Sequence, residues 1–212
     1  MKMYGYFRSS ASYRLRIALN LKGIEVEQAF VHLRKQEQAS PVFLHVNPMG
    51  LVPVLEHAGA RLTQSLAIIE YLEEIHPEPP LLPKNPLDRA HVRAIAFAVA
   101  CDIHPLNNLR VLNYLQRPLG IDEAGRDRWY AHWIAQGLGA LETMLSADRR
   151  TGTFCVADSP TLADICLIPQ MVNAARMKCS LDRYPTLRRI MDHARSLPAF
   201  ADAEPDRQPD AQ

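Results

Sequence analysis

The chain has 212 residues, is 48% hydrophobic and 22% charged, and carries a net charge of +1. That composition is globular and long enough for one large or two small folded units; the near-neutral balance argues against a nucleic-acid partner, and no apolar run is long enough to cross a bilayer. Met1–Tyr6 does not read as a signal peptide, and Cys101, Cys155, Cys166 and Cys179 form no Cys-x-x-Cys pair and no zinc spacing, so they read as reduced packing cysteines of a cytoplasmic protein without a metal.

Met3–Phe7 is short and aromatic-rich, as a buried strand is. Ser9, Ser10 and Ser12 follow, each a credible N-cap. Ala11, Leu15, Ala18 and Leu19 then recur at helical spacing and predict an amphipathic helix ending near Lys22–Gly23. A helix start gathers unpaired N–H donors and the positive end of the dipole, so it favours an anion. A thiol of pKa about 8.5 placed there loses one or more units. No cysteine stands at this turn, so such a thiol would arrive on a ligand. The plainer alternative is a capped helix after a strand, with the serines capping and nothing more.

Val26–His32 is a second strand candidate, Arg34–Ser40 a polar loop and Pro41–Val46 a short helix or turn. Asn47–Pro48–Met49–Gly50 then leads through Val52–Pro53 into an apolar strand, a sharp turn by its prolines and glycine. Pro53 is either an ordinary trans proline at a strand edge or a cis proline at a tight bend. Ala58–Gly59 reads as a hairpin turn and Arg61–Thr63 as a fourth strand. Gln64–Ser65 opens a helix over Leu66–Ile75, with Ser65 at a second anion-friendly start. His76 reads as a helix-end residue. The order β–α–β–turn–β–β–α makes a compact α/β unit.

The prolines between Pro77 and Pro86 exclude helix and central strand and mark a boundary. Beyond them the pattern is helical. Leu87–Gln116 reads as one long helix kinked at Pro105. Asp122–Leu145 follows, with Trp133, Ile134, Leu138, Leu141 and Leu145 on a core face. Thr161 and Asp164 have capping-box spacing, and the helix runs over Ile165–Met177 with a bend at Pro169. Tyr184–Ser196 is a further helix, and the polar stretch 204–212 is expected to fray. The expected division is an α/β domain over 1–80, a linker over 81–86 and an all-helical domain over 87–212.

This layout resembles the glutathione transferases, and specific motifs resemble their zeta class. Ser9–Ser10–Ala11–Ser12–Tyr13–Arg14–Leu15–Arg16–Ile17–Ala18–Leu19 is similar to the class signature S-S-C-S-x-R-V-R-I-A-L. Asn47–Pro48–Met49 with Val52–Pro53, the pair Gln64–Ser65, the run Pro105–Leu109 and the run Asn173–Lys178 also match, so the resemblance extends from Met3 to about Pro185. It implies a thioredoxin-like N-terminal domain, an all-helical C-terminal domain, glutathione as cofactor and a homodimer.

By position, the resemblance implies that Ser9, Ser10 and Ala11 surround the glutathione sulfur. Val52, beside a cis Pro53, would bond the cysteinyl backbone; Gln64 and Ser65 would hold the γ-glutamyl group. Gln38 and His104 fall where the class has glutathione-contacting glutamines, the second reaching from a neighbouring subunit, and Asn108 is expected on the same helix face as His104. Two positions depart: Ala11 replaces the signature cysteine, and Arg110 stands where relatives often have a small polar residue. The implied activity is cis–trans isomerisation of maleyl diketo acids by reversible thiolate addition. Maleylpyruvate, from gentisate-type ring degradation, is the first substrate choice and maleylacetoacetate the alternative. A transferase acting on haloacids and a non-catalytic scaffold are the other readings. The substrate is a dicarboxylate, for which Arg8, Arg110 and Arg176 are the candidate clamps. Arg14 and Arg16 read as surface or structural residues.

Overall fold

The computed structural model describes residues 1–211. The chain divides into two compact units: Met1–Leu81 with the residues from Arg195 onward, and Leu82–Ala194. The first contains β1 (Lys2–Gly5), α1 (Ser10–Leu21), β2 (Glu27–Phe30), α2 (Pro41–Val46), β3 (Val54–His57), β4 (Ala60–Thr63) and α3 (Ser65–Ile75). Its sheet has the order β2–β1–β3–β4. β1 runs parallel to β2, with α1 as the crossover that parallel pairing requires, and antiparallel to β3. β3 and β4 form a hairpin in which Ala58 and Gly59 have φ of 49° and 79°, both positive as a two-residue turn of this kind demands. Leu15, Ile17, Leu55, Ile68, Ile69 and Leu72 are buried where α1 and α3 pack together and against the sheet.

β1 ends at Gly5 because Tyr6–Ser9 is taken up by a turn, closed by the Ser9 N–H donating to the Tyr6 carbonyl at 3.0 Å. The expected polar loop carries two 3₁₀ turns, Leu33–Lys35 and Glu37–Ala39, hinged on Gln36 at φ 59°. Lys22, just past α1, has a buried side chain. Its ammonium donates to Glu73 at 2.7 Å and to the carbonyls of His76 at 2.6 Å and Pro79 at 3.0 Å. Glu73 in turn accepts the Leu81 N–H at 3.0 Å. All three ammonium donors are satisfied, and the proline-rich stretch is fastened to α3 at its start.

The second unit contains α4 (Pro86–Phe97), a π-helical turn over Ala98–Ile103, a 3₁₀ turn over Pro105–Asn107, α5 (Leu109–Gln116), α6 (Glu123–Ala147), α7 (Leu162–Arg176) and α8 (Pro185–Ser196). The single kinked helix expected over 87–116 is therefore corrected to two helices. Pro105 cannot donate to the preceding turn, and the Asn108 side chain accepts the Arg110 N–H at 3.1 Å and starts a new helix. Gly137 in α6 is needed beside this irregular stretch: a Cβ there would stand 2.3 Å from the Ile103 side chain. Ile134, Leu138, Leu141 and Leu145 form the expected buried face of α6, joined by Tyr130; Trp133 is half-buried, edge-on to Trp129 and His132. At the start of α7, Asp164 accepts the N–H and hydroxyl of Thr161 at 2.8 and 2.9 Å and the Cys155 N–H at 2.8 Å. Burial raises the Asp164 carboxyl, and hydrogen bonding from Cys155 and Thr161 pulls it back.

The segment after α8 is not a frayed end of the helical unit, as the sequence led us to expect. A short helix, α9 (Pro198–Ala201), packs on α1. The Tyr13 hydroxyl donates to the Phe200 carbonyl at 3.4 Å and Arg16 Nε to the Ala203 carbonyl at 2.9 Å. Phe200, Ala203 and Gln208 are buried. Apolar burial and long-range hydrogen bonds order a stretch whose composition alone reads as polar.

Candidate active site

The sheet register gathers one end of the first unit. Tyr4 of β1 pairs with Val54 of β3, which pairs with Thr63 of β4. The residues after Gly5, before Val54 and after Thr63 therefore emerge at the same edge. These are the Ser9 turn, Val52–Pro53 and Gln64–Ser65.

Ser9 is the N-cap of α1, with φ −72° and ψ 116° and its Oγ accepting the Ser12 N–H at 3.2 Å. A hydroxyl has one proton and two lone pairs, so this cap leaves the Ser9 proton available to an outside acceptor. No acidic side chain lies in the first turn to offset the dipole. The N–H groups of Ser10 and Ala11 have no intrahelical acceptor at these positions. The Ser10 side chain is buried, and the wholly buried Ser12 accepts the Tyr6 N–H at 3.4 Å. Arg8 is half-buried with its guanidinium 4.9 Å from the Phe7 ring centre.

The Val52–Pro53 peptide is cis. Asn47 shapes the approach to it, donating to the Leu51 carbonyl at 2.7 Å and accepting the Met49 N–H at 3.1 Å. Gly50, at φ 63°, approaches the Gln38 carbonyl so closely that a Cβ would stand 3.1 Å away. Gln38 is half-buried, and its side-chain oxygen is buried with no hydrogen-bond partner. Gln64 is exposed at φ 67°, a conformation costly for a non-glycine residue and characteristic of ligand-binding positions. Ser65 opens α3, and the wholly enclosed Arg14 donates to its Oγ at 3.4 Å.

In the second unit, His104 is half-buried and its N–H donates to the Val99 carbonyl at 2.9 Å. The 3₁₀ turn after it removes the continuous helix face that was to carry His104 and Asn108 together, and the Asn108 side chain is engaged as the cap of α5. Arg110 is exposed in the first turn of α5. Arg176 is exposed at the end of α7, and its guanidinium donates to the Asn173 side-chain oxygen. Among the described residues no group of His, Cys, Asp and Glu could hold a metal, and no helix is long and apolar enough to cross a membrane. Cys155 and Cys166 are buried as expected of packing cysteines, Cys179 is half-buried and Cys101 is exposed, which corrects that reading for Cys101.

Of the two readings left open for Arg14 and Arg16, surface or structural, the second holds: both are buried. Arg16 is buried and donates to the Ala203 and Phe7 carbonyls at 2.9 and 3.1 Å. Burial pulls its pKa down to about 10, against an opposing pull from Asp210. The available signal was α1 itself, whose residues from Ser12 to Leu19 are all buried, leaving no solvent face for either arginine.

Residues 1–74 match the family described as glutathione S-transferase, N-terminal domain. A probable maleylacetoacetate isomerase of Vibrio cholerae is 48% identical over 211 residues, covering 99% of this chain and 97% of that protein. The holo structure of a maleylpyruvate isomerase, a bacterial glutathione S-transferase of the zeta class, superposes with a TM-score of 0.98 at 46% identity, each chain fully covered. The chain belongs to the zeta-class glutathione transferases. A maleylacetoacetate isomerase from Methylobacterium extorquens AM1, solved with malonate and glutathione, superposes equally well, with a TM-score of 0.98 at 44% identity over the full length of both chains. Glutathione is the cofactor of this zeta-class chain, and the residues present fit it: an orphaned buried oxygen on Gln38, a strained Gln64 before the Ser65 helix start, and a hydroxyl donor on Ser9.

Proposed function

We propose that this zeta-class chain is a glutathione-dependent cis–trans isomerase that converts maleylpyruvate to fumarylpyruvate in gentisate-type ring degradation, acting as a cytoplasmic homodimer. The observation that carries the reading is the cap of α1: Ser9 holds its helix with a lone pair and keeps its proton to give, at a turn with no cysteine of its own. When bound, glutathione supplies a thiolate that adds reversibly to the cis double bond, permits rotation and departs.

The chain's own residues then have three tasks. Ser9, with the Ser10 hydroxyl and the N–H groups of Ser10 and Ala11, stabilises negative charge on sulfur. Val52 beside Pro53, Gln38, Gln64 and Ser65 hold the tripeptide, with His104 and Asn108 as further cofactor contacts. Residues 1–80 thus supply most of the glutathione contacts, and residues from 87 onward supply two of the three substrate groups. Arg8, Arg110 and Arg176 bind the carboxylates of the dianion, each charged contact contributing about 1.5–3 kcal/mol. One of them also stabilises the charge that passes to the substrate's carbonyl oxygen.

Maleylacetoacetate is the second reading, favoured by the names of the Vibrio and Methylobacterium relatives. Arg110 favours maleylpyruvate, whose terminal carboxylate lies closer to the diketone. Incubation with glutathione and each maleyl diketo acid, followed by the diketo absorbance, decides between them. Faster turnover of maleylpyruvate is expected; no turnover of either, with conversion of haloacids instead, overturns the isomerase reading.

A further inference from the structure

The turn that delivers Ser9 is held from outside its own neighbourhood. Phe7, two residues before Ser9, has both faces of its backbone engaged. Its N–H donates to the Asp210 carboxylate at 2.9 Å, across 203 positions of sequence. Its carbonyl accepts from Arg16 Nη2 at 3.1 Å. Arg16 Nε meanwhile reaches the Ala203 carbonyl at 2.9 Å, so one buried guanidinium ties the turn to the same returning segment that supplies Asp210. That segment is itself fixed: the Gln208 side chain donates to the carbonyls of Asp202 and Glu204 at 2.8 and 2.9 Å, and Ala211 packs against the cluster containing Tyr6 and Phe7.

We propose that Asp210 and Arg16 are positioning residues for sulfur activation: together they clamp the peptides on either side of Phe7 and so set the Tyr6–Ser9 turn that aims the Ser9 hydroxyl and the first N–H groups of α1. The proposal rests on the reading that places the glutathione sulfur at Ser9. The geometry is suited to the task because an acceptor on the Phe7 N–H and a guanidinium on the Phe7 carbonyl hold the two successive peptide planes that meet at the Phe7 Cα. A displacement of one ångström at a reacting group is costly to rate, and the other hydrogen bonds of the turn, Ser9 N–H to the Tyr6 carbonyl at 3.0 Å, Tyr6 N–H to Ser12 Oγ at 3.4 Å and Tyr13 N–H to the Ser9 carbonyl at 2.8 Å, all stay within its own neighbourhood.

Asp210→Ala removes the acceptor. Asp210→Asn keeps an oxygen for the Phe7 N–H and removes the charge. Three measurements read the result: amide hydrogen exchange of Phe7 and Ser9 in the ligand-free protein, the thiol pKa of bound glutathione from thiolate absorbance, and kcat for isomerisation. In Asp210→Ala the Phe7 amide should exchange at least about tenfold faster, the thiol pKa should rise, and kcat should fall about tenfold with a smaller change in KM. Asp210→Asn should stay within about threefold of the parent chain on exchange and kcat. A folded Asp210→Ala protein with parental Phe7 protection and thiol pKa overturns the proposal. So does an Asn variant as impaired as the Ala variant, since charge rather than the hydrogen bond would then be responsible. Exchange and thiol titration need no maleyl substrate, so failure of the clamp is distinct from failure of the isomerase reading, which shows as absent turnover by the parent chain.

Discussion

The two units hold their functional candidates in different ways. In the first, the Ser9 turn is built from backbone and enclosed side chains, with Arg14, Arg16 and Ser12 all buried beneath it. In the second, Arg110 and Arg176 stand exposed at helix ends, and the bond that Arg176 makes to Asn173 spans three residues. Donors proposed to stabilise charge on sulfur gain from being fixed before the reaction begins. Arginines proposed to bind a flexible dianion gain from reach. The contrast teaches that altering the first set should damage fold and chemistry together, whereas altering the second should damage chemistry alone.

The largest way to break the contrast is Arg16→Met. It strands the Phe7 and Ala203 carbonyls and should cost roughly 3 kcal/mol of stability, read as a lower urea midpoint at unchanged slope. Unaltered stability would put Arg16 among the adaptable groups instead. Ser9→Ala is next: kcat/KM should fall about 100-fold, equivalent to about 2.7 kcal/mol, while loss of the cap costs about 1 kcal/mol of stability. The thiol pKa in the glutathione complex should rise; an unchanged value assigns activation to Ser10 or to backbone donors. Arg110→Ala and Arg176→Ala should each lower kcat/KM about tenfold, mainly through KM, with stability within about 0.5 kcal/mol of the parent. Parental kinetics in both would remove the proposed carboxylate clamps. The smallest effect sharpens the picture of the second unit. Hydrogen bonds from Arg150, aided by His91, hold the Asp148 carboxyl down at about 2 against an ordinary 3.8. A depressed carboxyl stabilises the folded state above its unfolded pKa. The deficit of Asp148→Asn should therefore be constant from neutral pH to about 4 and vanish as pH falls through about 2, measured by denaturation at stepped pH.

What the sequence disclosed is what depends on near neighbours. The Thr161–Asp164 capping box and the Ala58–Gly59 hairpin are set within three or four positions and lie where spacing placed them, and the α1 cap falls on Ser9, the first of the three serines that could have served. The glutathione unit was legible through such motifs strung in order. The break between α4 and α5 was not, because the choice between a kinked helix and a new start at Asn108 turns on one side chain reaching one N–H. The choice between surface and structure for Arg14 and Arg16 was left open by the ordinary preference of arginine for water; Arg16 finds its main acceptor 187 residues away. The same distance concealed the order of the stretch from Arg195 onward, whose hydrophobic anchors, Phe200 and Ala203, are few and separated by polar residues.

That returning segment has a consequence for biogenesis. The carboxylate and carbonyl that brace the turn between β1 and α1 lie 203 and 187 positions further along the chain than the groups they bond, so a ribosome makes them long after the turn itself. The nascent first unit thus waits, with its arginine already made, for the segment from Arg195 onward to emerge. The turn between β1 and α1 is therefore completed only after the helical unit has been made, and a chain cut before Arg195 would yield a sheet and helices without that brace.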